Sequence, residues 1–452
     1  MQFDTLGLSP RLINALNEQG ITDPTPIQTQ AIPHAMAGRD VMGLAQTGSG
    51  KTAAFGLPML DALMKNGRKA EPKTPRALIL APTRELARQI HDTLYAFAQG
   101  SHLKMALITG GVGFTPQIER MARGVAILVA TPGRLVDLLD RRAVDLSKTE
   151  FLVLDEADQM LDLGFIHSLR RIATLLPKAR QTMLFSATMP KQMEEIASAF
   201  LTDPVRVQVN PPGQAVAKID QWLHYVAKAA KTDLLIELLD KHRDELAIVF
   251  GRTKHGSDKL ARQLEAAGFA VAAIHGNKSQ GQRDRAIAAF REGEVRVLVA
   301  TDVAARGIDI PGIRHVYNYE LPNVPENYVH RIGRTARAGA DGTAVAFCAP
   351  DEMGELRDIE KAMKARIPVA SGAPWQVSPD QATTRPGGRP AGKPRQGQPG
   401  QGRQGQGPGR QASNPLRRAA QPASAPAGAS AGAQKPRRPA SPRRGGGKPR
   451  AA

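Results

Sequence analysis

Short apolar runs rich in β-branched residues recur along this chain at 77–80, 105–108, 125–129, 151–154 and 182–185, and nothing else in it limits the fold so tightly. Runs this brief and continuous read as strands buried on both faces of a parallel sheet. Between them lie amphipathic stretches with helical spacing, such as Glu85-Leu86-Ala87-Arg88-Gln89-Ile90. Strand and helix in alternation predict an α/β layer fold. The pattern then restarts at 247–250, 271–274, 295–299, 315–317 and 344–347, so two doubly wound parallel-sheet domains in tandem are expected. Their bounds are placed at 31–208 and 219–371, behind a leading segment 1–30. The joint, 209–218, contains Asn210-Pro211-Pro212-Gly213, whose turn chemistry suits a hinge. Beyond residue 371 the chain is mostly Gly, Pro, Gln, Ala, Ser and Arg, with almost nothing to bury, and a disordered basic tail over 372–452 is expected.

Charge is distributed as unevenly as hydrophobicity. The net charge is +19, of which +14 falls in 372–452 and only +5 in the rest. A tail that basic suits a polyanion, nucleic acid before anionic membrane, although it also reads as a solubilising end. Arg444-Gly445-Gly446 is a single RGG triplet and makes no RGG box. No apolar stretch approaches the roughly 20 residues that span a bilayer, and Met1-Gln2-Phe3-Asp4-Thr5-Leu6 lacks the layout of a signal peptide. Cys348 is the only cysteine, set in an apolar run where a packed thiol is expected. A reducing cytoplasm is expected.

Two segments carry phosphate chemistry. Ala45-Gln46-Thr47-Gly48-Ser49-Gly50-Lys51-Thr52 stands after the apolar Val41-Met42-Gly43-Leu44 and before a helical stretch. Strand, glycine loop and helix are the context of a P-loop, whose backbone N–H groups cradle phosphates while Lys51 reaches the β and γ phosphates and Thr52 ligates Mg²⁺. Ala45 departs from the pattern, which begins with Gly. The second segment, Asp155-Glu156-Ala157-Asp158, follows the run 151–154, and carboxylates launched from a strand end can hold a hard cation and orient a water. Alone, it also reads as an acidic turn.

With these two segments in place the chain resembles the DEAD-box RNA helicases, and within them the bacterial RhlE-type group most. The resemblance runs in order from Phe3 to about Arg337. It takes in Pro24-Thr25-Pro26-Ile27-Gln28, Pro82-Thr83-Arg84-Glu85-Leu86, Gly110-Gly111, Thr131-Pro132-Gly133-Arg134 and Ser186-Ala187-Thr188. It continues through Ser279-Gln280-Gly281-Gln282-Arg283, Ala300-Thr301-Asp302, Arg306-Gly307-Ile308-Asp309 and His330-Arg331-Ile332-Gly333-Arg334-Thr335-Ala336-Arg337. It implies two RecA-like domains, ATP with Mg²⁺, and RNA as partner.

The resemblance assigns roles residue by residue. Gln28, whose amide can both donate and accept, would read adenine, with Phe3 stacked on the base; without the resemblance Pro-Thr-Pro-Ile-Gln is as readily a turn entering a helix. Ala45, Gln46, Thr47, Gly48, Ser49, Gly50, Lys51 and Thr52 would surround the phosphates, and Gly307 and Asp309 would add contacts from the second domain. Asp155 with Thr52 would hold Mg²⁺, partly through water, and Glu156 would activate the attacking water. Arg334 and Arg337 would be arginine fingers, although an Arg pair three residues apart is also a common solvated face. Asp158, Ser186, Thr188 and His330 would couple the domains. Arg84, Gly111, Thr131 and Arg134 in the first domain, and Arg283 and Thr301 in the second, would grip the RNA backbone. Aromatic residues are only 4% of the chain, so base stacking is poorly supplied and little sequence preference is expected. At Ala336 the family usually has Gly, so the backbone there is expected to need no positive φ. Trp222, Tyr225 and Phe165 are expected in the core.

The expected function is an ATP-dependent RNA helicase that closes on RNA and ATP and separates short duplexes locally. Its alternative is an ATP-gated RNA clamp or chaperone in a larger assembly; a DNA translocase is disfavoured only by the resemblance. A cytoplasmic monomer is expected, with no membrane partner, and ribosomal precursors or RNA-decay machinery as surroundings.

Overall fold

The computed structural model describes residues 2–45, 48–189, 191–209, 219–305, 308, 310–336 and 341–375. Gln46, Thr47, Gly307, Asp309, Arg337, the joint 210–218 and the tail beyond 375 lie outside them.

In the first domain α1 (Pro10–Glu18) and α2 (Pro26–Met36) lead into β1 (Val41–Leu44), followed by α3 (Lys51–Asn66), β2 (Pro75–Leu80), α4 (Arg84–Phe97) and β3 (Met105–Ile108). Then come α5 (Phe114–Met121), β4 (Val125–Ala130), α6 (Pro132–Asp140), β5 (Phe151–Leu154), α7 (Ala157–Asp162), α8 (Ile166–Leu175), β6 (Gln181–Ser186), α9 (Lys191–Phe200) and β7 (Val205–Gln208). The second domain runs β8 (Ile219–Tyr225), α10 (Lys231–Asp240), β9 (Leu246–Gly251), α11 (Lys254–Ala266), β10 (Val271–Ile274), α12 (Gln280–Glu292) and β11 (Val297–Thr301). It ends with α13 (Asp302–Ala305), β12 (Ile313–Asn318), α14 (Pro325–Ile332), β13 (Gly342–Cys348), α15 (Met353–Met363) and β14 (Val369–Ser371).

Each domain builds one seven-stranded sheet, ordered β3-β4-β2-β5-β6-β1-β7 and β10-β11-β9-β12-β13-β8-β14, and the pairings within both are parallel. The continuous apolar strands are explained by cover on both faces. In β2, Ala77 and Ile79 enter one apolar cluster while Leu78 and Leu80 enter the other. In β9, Ile248 and Phe250 face one side and Ala247 and Val249 the opposite side. Cys348 is buried in the second of these domains. Among the described residues no helix is long and apolar enough to cross a membrane.

Sheet order matters most for what it brings together. β5, β6 and β1 are neighbours, with Leu154 level with Leu184 and Leu44 level with Ser186. Three loops far apart in sequence therefore leave one carboxyl edge side by side, which is where α/β sheets bind ligands.

Trp222 departs from expectation. It is 44% exposed rather than buried, and Tyr225 and Phe165 are only partly buried. β8 has only the three-residue β14 beyond it, and Trp222 alternates to the face opposite Ile219 and Leu223, near the open edge of the sheet.

Candidate nucleotide and nucleic-acid site

The glycine loop is shaped by two residues in the left-handed region, Gly48 (φ 81) and Gly50 (φ 90). Gly50 is required twice over. Besides its φ, a Cβ there would come within 2.4 Å of Gln28 Nε2 and 2.8 Å of Thr25 Oγ1. Ala45 tolerates its methyl because it still belongs to the ladder, its N–H donating to Ser186 O at 3.0 Å. Lys51, the first residue of α3, is 5% exposed, and among the described residues its Nζ has no hydrogen-bond partner. Thr52 beside it is partly buried.

Gln28 is built into this loop from α2. A capping box joins Thr25 and Gln28, with Gln28 Oε1 accepting from Thr25 N at 2.9 Å. Gln28 Nε2 donates to Gly50 O at 3.0 Å, and Thr25 Oγ1 donates to Ser49 O at 2.8 Å. A primary amide has two N–H donors and two acceptor lone pairs, so one of each is left for an adenine edge. Phe3 is buried with Leu6 and Leu8 in the apolar cluster on this side of the sheet, so packing claims its ring as well as any base.

Asp155 follows β5 and is 2% exposed. Its Oδ1 accepts from Glu156 N at 2.9 Å and lies 3.6 Å from Lys51 Nζ. Burial raises the Asp155 carboxyl to about 6, against the pull of Lys51 and with a push from the Glu156 carboxylate. Glu156 adopts φ 51 and ψ 51, left-handed backbone that costs a residue with a Cβ of order 1–3 kcal/mol. Strain held at a buried carboxylate is typical of a reacting group. Asp158 faces the next loop, its Oδ2 accepting from Ala187 N at 3.1 Å, Thr188 N at 2.8 Å and Thr188 Oγ1 at 2.9 Å. Ser186 Oγ donates to Thr188 O at 2.7 Å. A cavity of about 580 Å³ is lined by Asp158 and Thr188 from the first domain and His330 from the second.

In the second domain Arg334 stands in the turn after α14, 3% exposed, with Nη1 donating to Ile308 O at 2.7 Å and Nε to His330 O at 3.2 Å. Arg331, not singled out by sequence reasoning, holds this corner. It is 2% exposed and grips both carboxylate oxygens of Asp302, at 2.5 and 2.8 Å, together with Asn318 Oδ1. Ala336 corrects the expectation made for it: its φ is +55. Thr335 Oγ1 donates to Ile313 O at 2.6 Å, which pins the turn just before it. His275 lies 2.9 Å from Asp258, and no group of three metal-ligating side chains occurs among the described residues.

The residues assigned to RNA fall on both sides of the domain boundary, and Arg84 and Arg283 each meet a partner across it. Arg84 Nη1 donates to Gln280 Oε1 at 3.1 Å, Gln280 Nε2 donates to Glu85 Oε1 at 3.1 Å, and Arg283 Nη2 lies 3.1 Å from the same Glu85 oxygen. Arg88 and Asp284 add a pair at 3.1 Å. Arg283 is buried, so its guanidinium serves the interdomain joint in this arrangement. Burial lowers the Arg84 pKa; Glu85 opposes that effect while Arg283 and Arg134 add to it. Thr131 precedes α6 at the N-cap position without a side-chain capping bond, Thr301 ends β11, and Gly111 has φ 77. Glu85 and Gln280 were quoted only within motifs and not as partners; the structure shows Ser279 and Gln282 as a capping box that opens α12, a local signal that says nothing of what the helix faces.

A buried lysine ammonium that makes no hydrogen bond among the described residues, at the start of a helix after a glycine loop, is how P-loop NTPases hold phosphate, and a second parallel-sheet domain marks the tandem RecA-like members. The DEAD/DEAH box helicase family model matches residues 25–196, and the helicase conserved C-terminal domain model matches 230–339. The chain belongs to the DEAD-box ATP-dependent RNA helicases. It is 45% identical over 367 residues to the DEAD-box ATP-dependent RNA helicase CshA of Bacillus subtilis, covering 81% of this chain and 73% of that one. To the ATP-dependent RNA helicase CshA of Listeria monocytogenes it is 43% identical over 374 residues, 83% of this chain and 71% of that one. These names leave the RhlE-type grouping resting on the sequence resemblance alone. Among solved structures, S. cerevisiae Dbp5 bound to RNA and ADP BeF3 is similar with a TM-score of 0.72 and 34% identity, over 81% of this chain and 95% of that one. Mss116 bound to ssRNA and UDP-BeF gives 0.76 and 28%, over 83% and 81%.

Proposed function

We propose that the chain couples ATP hydrolysis to local, largely sequence-independent separation of RNA duplexes, by closing its two domains over nucleotide and RNA. The observations that carry this reading are the buried Lys51 ammonium, which makes no hydrogen bond among the described residues, and an interdomain joint in which the RNA-assigned Arg84 and Arg283 meet Gln280 and Glu85. The likeness to Dbp5 and Mss116, each described with RNA and a nucleotide analogue, supports it.

The donor set fits ATP with Mg²⁺: a buried ammonium in need of an anion, a buried carboxylate beside it, and the Thr52 hydroxyl on the next residue. Thr52 and Asp155 would hold Mg²⁺, which would supply positive charge at the phosphates. Gln28 takes the adenine edge and Lys51 binds the β and γ phosphates. Glu156 orients a water and takes its proton as the water oxygen bonds to the γ-phosphorus and the bond to ADP breaks. Arg334 neutralises the charge on the transferring group, and Asp158 relays the state of the site through Ala187 and Thr188. Arg84, Gly111, Thr131, Arg134 and Thr301 hold a single strand by its backbone, which positions it without reading its sequence. Arg283 secures closure.

Glu156→Gln tests the reading. It is expected to bind ATP and RNA while RNA-stimulated hydrolysis falls about 10²-fold or more, the usual worth of a positioned general base. Near-normal turnover removes Glu156 from this role, and a chain that hydrolyses ATP on RNA without separating short duplexes favours the clamp.

A further inference from the structure

Phe114 opens α5 directly after the loop Gly110-Gly111-Val112-Gly113, and two arginines from opposite ends of α6 lie over its ring. The guanidinium carbon of Arg134 is 4.2 Å from the ring centre and that of Arg141 is 4.1 Å. The two residues are seven apart and Arg141 keeps right-handed helical backbone, so both leave the same side of α6, roughly 10 Å apart along its axis. Little negative charge answers them. Arg134 Nη1 donates to Val112 O at 2.7 Å, and its buried Nε has no hydrogen-bond partner among the described residues, with Asp137 Oδ2 3.7 Å from it. Arg141 is exposed and makes no ion pair among the described residues. The Arg84 guanidinium lies against the same loop, where a Cβ on Gly111 would come within 2.1 Å of its Nη1.

Three like charges gathered round one glycine loop repel each other unless something offsets the repulsion. The ring of Phe114 does part of this, since a cation over an aromatic face gains ~0.5–1 kcal/mol when exposed and ~2 when desolvated. A polyanionic strand does the rest. Resting on the RNA-helicase reading above, we propose that Phe114 is a positioning residue that seats Arg134 and Arg141 along one side of α6. Arg141 is then a further contact to the RNA sugar–phosphate backbone.

The test is binding of a fluorescently labelled single-stranded oligouridine to the full chain with a non-hydrolysable ATP analogue, across a range of KCl. Arg141→Ala is expected to weaken binding several-fold and to reduce the slope of log Kd against log salt by about 0.7, the value for one phosphate contact on a single strand. Arg141→Lys keeps the slope, because the charge remains. Phe114→Leu loses affinity and slope together, and Phe114→Tyr, which keeps a ring face, retains both. An unchanged slope in Arg141→Ala overturns the contact, and wild-type binding by a folded Phe114→Leu overturns the positioning role. Should Phe114→Leu not fold, Arg141→Ala and Phe114→Tyr decide, and loss of binding in Phe114→Tyr also counts against the ring as a seat. If the wild-type chain itself fails to bind the oligonucleotide, the proposed function fails rather than this inference.

Discussion

Lys51 Nζ stands 3.6 Å from Asp155 Oδ1, both side chains are buried, and no hydrogen bond closes the gap. A charge pair satisfied in itself would close to hydrogen-bond distance and bar a ligand. Held just beyond it, the ammonium keeps its donors for phosphate and the carboxylate keeps oxygens for a cation. The strain at Glu156 and the raised Asp155 pKa belong to the same preorganisation, in which burial is tolerated because the ligand completes the site.

Arg334→Ala is expected to bind ATP within a few-fold of wild type and to lose RNA-stimulated hydrolysis by ~10³-fold or more. Arg334→Lys keeps the charge but cannot reproduce the fork that now reaches Ile308 O and His330 O, so its rate should lie between the two. A steady-state ATPase rate for Arg334→Ala close to wild type sinks the finger assignment.

Glu85 and Arg283 should be coupled only in the closed state. Each single alanine variant leaves a buried charge without its partner, and the double variant removes both. A double-mutant cycle read in RNA affinity with an ATP analogue should give an interaction energy of about 1 kcal/mol or more. Additive single effects show that the joint does not drive closure.

Ala336→Gly should stabilise the chain. Left-handed backbone costs Ala about 1–2 kcal/mol, whereas Gly loses about 0.4–1 kcal/mol through its freer unfolded state. The difference favours Gly by up to roughly 1.6 kcal/mol, read as a higher denaturation midpoint. A lower midpoint refutes the strain account.

The second domain should lose stability on mild acidification through His242. Its ring stacks on His315 at 3.6 Å, and its Nε2 meets Tyr317 Oη at 2.6 Å. Burial, followed by the charge of His315, lowers its pKa to about 4. The unfolded value is about 6.5. A depressed folded pKa means the unfolded chain binds more protons between these values, so the contribution is whole above about 6.5 and lost as pH falls toward about 4. His242→Asn should shrink the drop in melting temperature between pH 7 and pH 5; an equal drop in both proteins excludes His242 as the cause.

Much of the fold was legible because apolar patterning is local. Strands β3 and β5 fall on the expected 105–108 and 151–154. The run at 295–299 begins pairing two residues late, at Val297, because Val295 N–H is spent on Ala289 O at the end of α12. β7 and β14 gave no apolar signal, since edge strands have a face or a side in water, and the same exposure explains Trp222.

Residue chemistry and its order along the chain were determined by the sequence alone: a glycine loop ending in Lys51, carboxylates after an apolar run, arginines in the second domain, and an excess of positive charge at the end. Only tertiary structure decided which of them meet. Strand order sets β5, β6 and β1 side by side and so brings Asp155 to Lys51, and domain contact turns Arg283 toward Glu85. Left-handed backbone at Glu156 and Ala336 was likewise imposed from outside the local sequence. Periodicity reports which face of an element is buried, but not which neighbour buries it, and a strained φ survives only where surrounding packing and hydrogen bonds leave the chain no other path.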